Sequence, residues 1–147
     1  MAVLDIPHTI HVLDCFQEGS YIYRVSDHHY ENNQQRNNRD LEFKNMHSPY
    51  FYIHSSVYLD RSTIRQPIYD IPQDIILSWS NEAQINNALV LGCAGCTIPR
   101  FLVLQFPTCL VTGIELSSRL ISIAQEFFIS MRFNHNSSCC TMMHLHT

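Results

Sequence analysis

The stretch from residue 88 to residue 128 constrains the fold of this chain more than any other part of the sequence. Leu89 to Leu91 is an unbroken apolar run, which is typical of a parallel strand buried on both faces. Gly92 follows at once, and a second apolar run, Leu110 to Ile114, ends at Glu115, 23 residues beyond Gly92. Further apolar segments follow each run at helical length. This order predicts the start of a doubly wound α/β unit.

The turn after the first strand has the composition of a nucleoside-binding turn. Gly92, Ala94 and Gly95 are small enough for the backbone to pass close to a ligand, and Thr97 opens a helix with proline in its first turn. Glu115 stands near the spacing at which an acid meets ribose hydroxyls. These five residues are the predicted nucleoside site. The alternative is an ordinary tight turn that binds nothing.

The motif Gly92-Cys-Ala-Gly-Cys-Thr-Ile-Pro-Arg100 resembles the G-x-G-G-G-S-L-P-R turn of the spermidine synthase family. That family of polyamine aminopropyltransferases shares the class I methyltransferase fold. Gly113-Ile114-Glu115-Leu116 is similar to the family's G-V-E-L segment, and the likeness covers roughly residues 10 to 130. Ala94 and Cys96 stand where the family prefers glycine. The resemblance implies decarboxylated S-adenosylmethionine or S-adenosylmethionine as co-substrate, a polyamine as second substrate, and no metal.

Composition narrows the class of protein. The chain has 46% apolar and 15% charged residues and a net charge of -4, so no basic excess points to nucleic acid. The first fifteen residues lack the apolar core of a signal peptide, and no segment is long and apolar enough to cross a membrane. We therefore expect a cytoplasmic protein with reduced cysteines.

The N-terminal part of the chain predicts antiparallel strands. Residues 10 to 27 alternate around a Gly-Ser turn, which indicates a hairpin. Residues 28 to 40 are rich in Asn, Gln and Arg, which predicts a solvated loop or the tip of a longer hairpin. A basic binding arm is the alternative, although Glu31 and Asp40 dilute its charge.

A further strand is predicted at Tyr50 to Leu59, which is dense in β-branched and aromatic residues. It resembles the Q-S-x-x-Y-L strand of spermidine synthases, whose glutamine and tyrosine line the mouth of the active site. The resemblance implies that His54, in the place of that glutamine, and Tyr58 contact the amine substrate. Packing within the strand is the alternative role for both residues.

The predicted fold class is α/β, with a small antiparallel β-domain before an incomplete Rossmann-like parallel sheet. Asp70-Ile-Pro starts a linking helix whose buried face would be Ile75, Ile76 and Trp79. The expected domains are 1–66 for the antiparallel sheet, 67–87 for the linking helix, 88–130 for the partial Rossmann-like domain and 131–147 for an irregular tail.

The C-terminal tail, residues 131–147, bears on the completeness of the fold and on a possible metal site. Residues 131–147 contain neither an apolar strand nor a glycine turn, so we expect a C-terminally truncated member of the fold with an open sheet edge, covered in a homo-oligomer. Zinc binding is an alternative use of the soft ligands, but adjacent cysteines and cysteines inside the turn fit a tetrahedral site poorly. The residues considered are Cys93, Cys96, Cys139, Cys140, His144 and His146.

Three functions from different classes fit the sequence. The first is spermidine synthase-like aminopropyl transfer from decarboxylated S-adenosylmethionine to putrescine or a related amine, weak or absent in the chain alone because no catalytic residue can be assigned. The second is methyl transfer from S-adenosylmethionine, which uses the same turn and acid. The third is a non-catalytic interaction protein derived from this fold.

Overall fold

The structure is a computed structural model that describes residues 8–31, 36–60, 70–80, 84–129 and 140–144. The chain divides into two compact units, Met1–Thr63 and Ile64–Thr147. The first unit holds an antiparallel sheet, and the second holds a parallel sheet with helices. The predicted α/β fold class is confirmed.

The first unit is a four-stranded antiparallel sheet in the order β1-β2-β3-β4. Gly19 adopts a φ of +57° in the turn between β1 and β2, a conformation that costs glycine little. Bulges interrupt the first and third strand pairs, between Val12 and Asp14 and between Leu41 and Glu42. The predicted hairpin is present as the first two strands, and the strand predicted at Tyr50 to Leu59 is present as the fourth. The four strands are β1 (His8–Glu18), β2 (Tyr21–Tyr30), β3 (Asn38–Asn45) and β4 (Tyr52–Tyr58).

β2 and β3 pair as a longer hairpin that includes both ends of residues 28 to 40, which confirms one of the two predicted alternatives; the expectation of solvent exposure is wrong at both ends of that segment. His28 belongs to β2 and is 8% exposed, while Asn38 and Asp40 belong to β3 and are 7% and 1% exposed. Their polar side chains are buried because they contact one another. The connection between the strands includes residues 32–35, which lie outside the described part of the chain.

The second unit is built on a parallel sheet of three strands in the order β5-β6-β7. Val90 pairs with Gly113, and Gly113 pairs with Met142, so the carboxyl ends of all three strands lie at one edge. Among the described residues no helix is long and apolar enough to span a membrane. The elements are α1 (Asp70–Ser80), β5 (Asn87–Leu91), α2 (Thr97–Gln105), β6 (Leu110–Glu115), α3 (Ser118–Ile123), which continues as a π-helical turn (Ala124–Ile129), and β7 (Cys140–His144).

The strand β7 corrects the expectation of an irregular tail at residues 131–147. It pairs in parallel with β6 through a segment, Cys-Thr-Met-Met-His, that no apolar run announces. Sheet pairing here follows from the topology of the fold rather than from β propensity, which tertiary context often overrides. Residues 131–139 and 145–147 lie outside the described residues. The parallel sheet therefore contains at least one strand more than the two that the sequence predicts.

Within the part of the chain that the structure describes, one face of the parallel sheet is packed, and the other has no covering layer. Val111 of β6 and Leu102 of α2 are 1% and 4% exposed, and Ala88 and Val90 of β5 pack against them. The alternate residues of β5 face the other way, which corrects the expectation that the first apolar run is buried on both faces. The predicted buried face of α1 is also corrected in part. Ile76 of α1 packs against the core, as predicted. The residues of β5 and α1 that are exposed instead of buried are Leu89 (61%), Leu91 (71%), Ile75 (43%) and Trp79 (61%).

Candidate nucleoside site

The turn that follows β5 has an unusual backbone. Gly92, Ala94 and Cys96 all have positive φ, at +71°, +42° and +62°. Only glycine adopts this region at little cost, so two of the three residues carry backbone strain of the order of 1 kcal/mol each. A side-chain carbon built on Gly92 would meet no atom within 4 Å. The strained turn therefore leaves open space beside Gly92, into which a ligand can fit.

The turn leads directly into the N-terminus of α2. Cys96 is the N-cap, and its side chain makes no capping hydrogen bond. Its backbone carbonyl accepts the Arg100 amide at 2.9 Å, which closes the first helical turn. A helix of nine residues presents the positive end of its dipole here. The turn thus combines open space with a positive potential.

Glu115 joins the end of β6 to the turn. Its Oε2 accepts the backbone amide of Ala94 at 2.9 Å, and its Oε1 accepts the amides of Leu116 and Ser117 at 2.8 and 3.1 Å. The residue is 8% exposed, and none of the described basic side chains lies within ion-pair distance of its carboxylate. An ionised carboxylate offers about four acceptor positions, so the described contacts leave one for a ligand hydroxyl.

The structure brings together the five residues that the sequence predicts for the nucleoside site. Gly92 is exposed, whereas Ala94, Gly95, Thr97 and Glu115 are buried beneath it. Gly92 is thus the exposed member of the five, and the Glu115 carboxylate contacts the turn through the Ala94 amide. The role of Glu115 as a support of the turn could not be read from the sequence, because it depends on the positive φ of Ala94.

Arg100, the last residue of the predicted motif, supports the unit from a different position. Its Nη1 donates a hydrogen bond to the carbonyl of Phe128 at 2.8 Å, so it caps the π-helical turn. Burial lowers the pKa of this guanidinium, and its Nε has no partner among the described atoms. A cation at the C-terminal end of a helix interacts favourably with the helix dipole. Arg100 thus links α2 to the helix that follows Glu115.

His54 and Tyr58 lie on β4 of the first unit, on opposite faces of the sheet. The bulge in β4 turns His54 towards Phe43, whose ring centroid is 5.6 Å from that of His54. Tyr58 pairs with Asn38, and Arg36 lies over the Tyr58 ring at 5.1 Å. The strand therefore separates two residues that regular alternation would place on one face. This arrangement disagrees with a joint contact of both residues with one amine.

The cysteines of the turn have structural contacts in this fold. Cys93 is 5% exposed and donates through Sγ to the carbonyl of Val90 at 3.2 Å. Cys93 and Cys96 pack together with Ala124 of the π-helical turn. Among the described residues no group of three or more histidine, cysteine, aspartate or glutamate side chains could hold a metal ion. Cys139 and His146 lie outside that part of the chain.

A buried polar network on one face of the first sheet was missed in the sequence. Its central residues occupy alternate positions of β2 and β3, and a residue of β4 completes it. A period-two series of polar residues on two neighbouring strands was the available signal, but such a series is usually the solvated face of a sheet. The members of the network are Arg24, Ser26, His28, Asn38, Asp40, Glu42 and Ser56.

Glu42 is the centre of this polar network. Arg24 donates to both carboxylate oxygens, from Nε at 2.6 Å and from Nη2 at 2.9 Å, and the Ser26 hydroxyl donates to Oε2. His28 Nε2 lies 3.9 Å from the same oxygen. Burial alone would raise the pKa of Glu42, but the interactions with His28, Arg24 and Ser26 outweigh it and lower the pKa to about 2. Glu42 is therefore ionised at neutral pH.

Asp40 and His28 form the second half of the network. The Ser56 hydroxyl and the Asn38 amide both donate to Asp40, whose Oδ2 lies 3.5 Å from His28 Nε2. Burial raises the pKa of Asp40, and the hydrogen bonds offset it only in part. The pKa of His28 is raised, first by Glu42 and further by Asp40, against the cost of burial. The ring of His28 thus lies near two carboxylates, which favour its protonated form.

The fold and the turn together define a class: an antiparallel sheet followed by an α/β unit whose first strand leads through a glycine turn into a helix. Solved structures of this class include spermidine synthases. A probable spermidine synthase from Corynebacterium glutamicum ATCC 13032 superposes with a TM-score of 0.63 at 11% identity, over 90% of this chain and 44% of its own. A spermidine synthase in complex with the transition state analogue AdoDATO superposes with a TM-score of 0.50 at 9% identity, over 90% and 40%.

The spermidine synthase from Thermotoga maritima is also similar, with a TM-score of 0.49 at 10% identity, over 91% of this chain and 40% of its own. The chain therefore spans less than half the length of these three proteins. No protein-family model matches the chain, and no curated protein matches it in sequence. At these identities the first two superpositions establish a spermidine synthase-like fold.

Proposed function

We propose that the turn from Gly92 to Thr97 and Glu115 bind the adenosyl group of a sulfonium donor, for spermidine synthase-like aminopropyl transfer. The observation that carries the proposal is the contact between Glu115 and the Ala94 amide, which places a buried carboxylate beside the open space at Gly92. No basic side chain of the described chain neutralises that carboxylate at close range. Its negative charge complements a cationic sulfonium, and its remaining acceptor position suits a ribose hydroxyl.

The donor favoured by the fold is decarboxylated S-adenosylmethionine, with putrescine or a related amine as acceptor. In aminopropyl transfer the amine nitrogen forms a bond to the methylene beside the sulfonium, and the carbon–sulfur bond breaks with its electron pair going to sulfur. Methylthioadenosine leaves. Catalysis of such a displacement requires positioning of the two substrates and an amine that has lost its proton. Tyr58 is the described residue that we propose for the amine side, and the catalytic base is not assigned.

Methyl transfer from S-adenosylmethionine uses the same adenosyl site and is the second candidate. The antiparallel sheet before the parallel one favours aminopropyl transfer, since the superposed spermidine synthases share both parts. A comparison of the two donors by calorimetry distinguishes these functions. Preferred binding of the decarboxylated donor supports aminopropyl transfer, and preferred binding of the intact donor supports methyl transfer. Absence of binding for both would favour a non-catalytic interaction protein.

Substitution of Glu115 tests the proposed site. We expect Glu115→Gln to weaken methylthioadenosine binding roughly tenfold or more, because a hydrogen bond to a charged group contributes about 1.5 to 3 kcal/mol. Calorimetric titration of the parent and the variant measures the change. Glu126→Gln, which alters an exposed carboxylate of the π-helical turn, is the matched control and should bind like the parent.

A second ligand separates direct contact from support of the turn. The analogue of methylthioadenosine without its 2′ and 3′ hydroxyls should bind the parent more weakly than methylthioadenosine does. The Glu115→Gln variant should discriminate less between the two ligands than the parent does, since its amide oxygen is an uncharged and weaker acceptor for the hydroxyls. If the variant discriminates between the ligands as strongly as the parent, Glu115 does not contact the ribose and only supports the turn.

A further inference from the structure

Two cysteines lie three residues apart in the turn that follows β5. Cys93 and Cys96 are both reduced, and their exposed fractions are 5% and 1%. The proposed nucleoside site uses neither thiol. A Cys-x-x-Cys pair next to a β-α-β unit is typical of dithiols that form reversible disulfides. The alternative is that both thiols only fill the core, as most buried cysteines do.

The backbone of the turn brings the two cysteines close together. The Cys96 amide donates to the Cys93 carbonyl at 2.7 Å, which closes a four-residue turn. The Cα atoms at the ends of such a turn lie less than about 7 Å apart, and a disulfide joins Cα atoms that are about 4.4 to 6.8 Å apart. Ala94 and Gly95, the residues between the cysteines, have no side chain long enough to obstruct the bond. A disulfide can therefore bridge the turn with little movement of the backbone.

The N-terminus of α2 lies at the second cysteine of the pair. Cys96 is the N-cap of this nine-residue helix. The positive end of a helix dipole favours a thiolate over a thiol, and the thiolate is the form that reacts with a disulfide. Cys93 packs in one cluster with Cys96 and Ala124, and its Sγ donates to the Val90 carbonyl at 3.2 Å. Because a thiol is a weak donor, that hydrogen bond does little to oppose the reaction of Cys93 with Cys96.

We propose that Cys93 and Cys96 are a redox pair, which glutathione disulfide oxidises reversibly to a disulfide across the turn. The thiolate of one cysteine attacks a sulfur of the oxidant, whose S–S bond breaks with its electron pair going to the departing glutathione sulfur. The second cysteine then attacks the cysteine sulfur of this mixed disulfide and releases the second glutathione. The two thiol protons end on the two glutathione sulfurs. The cysteines are thus oxidised, and the glutathione disulfide is reduced.

Mass spectrometry of the full chain, equilibrated in glutathione buffers of graded ratio, tests the pair. Trypsin releases residues 66–100, which contain both cysteines and no other, and residues 101–119, which contain only Cys109. After the remaining thiols are alkylated, the peptide 66–100 should carry no alkyl group and be two hydrogen atoms lighter than its reduced form. Dithiothreitol should restore the reduced peptide. Cys109, which is 0% exposed, is the internal reference and should stay a thiol.

Cys93→Ser and Cys96→Ser should each abolish the lighter peptide, whereas Cys15→Ser, which alters an exposed cysteine of the first unit, should oxidise like the parent. At one fixed glutathione concentration, the folded parent should be half oxidised at about tenfold less glutathione disulfide than the chain unfolded in urea, because the turn pre-organises the pair. Oxidation that occurs only after unfolding would overturn the proposal, since the fold would then hold the thiols apart. The measurement uses no nucleoside, so its outcome is separate from that of the proposed function.

Discussion

Glu42→Ala should lower the free energy of unfolding of the first unit by about 3 to 5 kcal/mol. Glu42 is 5% exposed and accepts hydrogen bonds from Arg24 and Ser26, with His28 close by. Removal of the Glu42 carboxylate leaves the half-buried guanidinium of Arg24 and the buried ring of His28 with too little negative charge around them. A substitution that leaves a buried charge without its partner is among the most destabilising single changes. The cost therefore exceeds that of the lost contacts alone.

Hydrogen exchange followed by mass spectrometry measures this effect unit by unit. Peptides from β2 and β3 report on the first unit, and peptides from β5 and β6 report on the second. In Glu42→Ala, the peptides from β2 and β3 should exchange faster, whereas those from β5 and β6 should exchange as in the parent. Glu31→Ala is the control, since Glu31 is an exposed glutamate just after β2. It should change the free energy of opening that exchange reports by less than about 0.5 kcal/mol. Equal effects of the two substitutions would show that the network contributes little.

The stability of the first unit should be greatest between about pH 5 and pH 6.5 and should fall on both sides. On the acid side the pKa of Glu42 is about 2 in the folded chain against 4.5 ordinarily. A carboxyl whose pKa is lower in the folded chain than in the unfolded chain stabilises the fold at pH values above its unfolded pKa. This stabilisation is lost as the pH falls through its folded pKa. At 1.36 kcal/mol per pH unit the contribution of Glu42 is about 3 kcal/mol. Asp40, whose pKa burial raises, works in the opposite direction and offsets part of this loss.

On the alkaline side the change comes from His28. Its pKa is raised above the ordinary 6.5, so its contribution is fully present below that value and is lost as the pH rises through the folded pKa. Glu42, Asp40 and Arg24 are the charged groups that face it within the network, and the His8 ring stacks on it from β1 at 5.7 Å. Exchange rates of β2 and β3 across pH 3 to 9, corrected for intrinsic exchange, give the profile.

Two histidine variants identify the source of the alkaline change. His28→Gln should remove the loss of stability above pH 6.5, whereas His47→Gln, an exposed residue after β3, should leave it in place. A profile of the parent that is flat from pH 5 to pH 9 would contradict the assignment to His28. A loss that persists in His28→Gln would contradict it equally.

The order of elements could be predicted from the sequence because apolar runs and glycine turns are local signals. The run Leu110 to Ile114 and the proline after Thr97 placed β6 and the start of α2 where the structure has them. The strand β7 carries no comparable signal, since its residues are polar or sulfur-containing and its pairing depends on β6. The open face of β5 was not predictable either. An apolar run looks the same whether or not a second layer covers it.

The residues of the candidate site could be selected from the sequence, but their geometry could not. The spacing of Gly92 and Glu115 placed both at the carboxyl ends of neighbouring strands, where parallel pairing brings them together. The positive φ of Ala94 and its contact with Glu115 arise only after the chain folds. The bulge that sends His54 and Tyr58 to opposite faces of β4 is likewise invisible in the alternation of residue types. The polar network was missed because buried and solvated polar residues share one pattern.

Nuclear magnetic resonance of the ¹⁵N-labelled chain, titrated with methylthioadenosine, tests the central claim that the turn binds an adenosyl group. The amide signals of Gly92, Ala94 and Gly95 should shift most, together with that of Leu116, whose amide donates to Glu115. The amides of β1 and β2, far along the sequence in the other unit, serve as the internal reference. Saturable shifts confined to the turn and the end of β6 are the expected result. A well-dispersed spectrum in which these signals stay unchanged at millimolar ligand would contradict it.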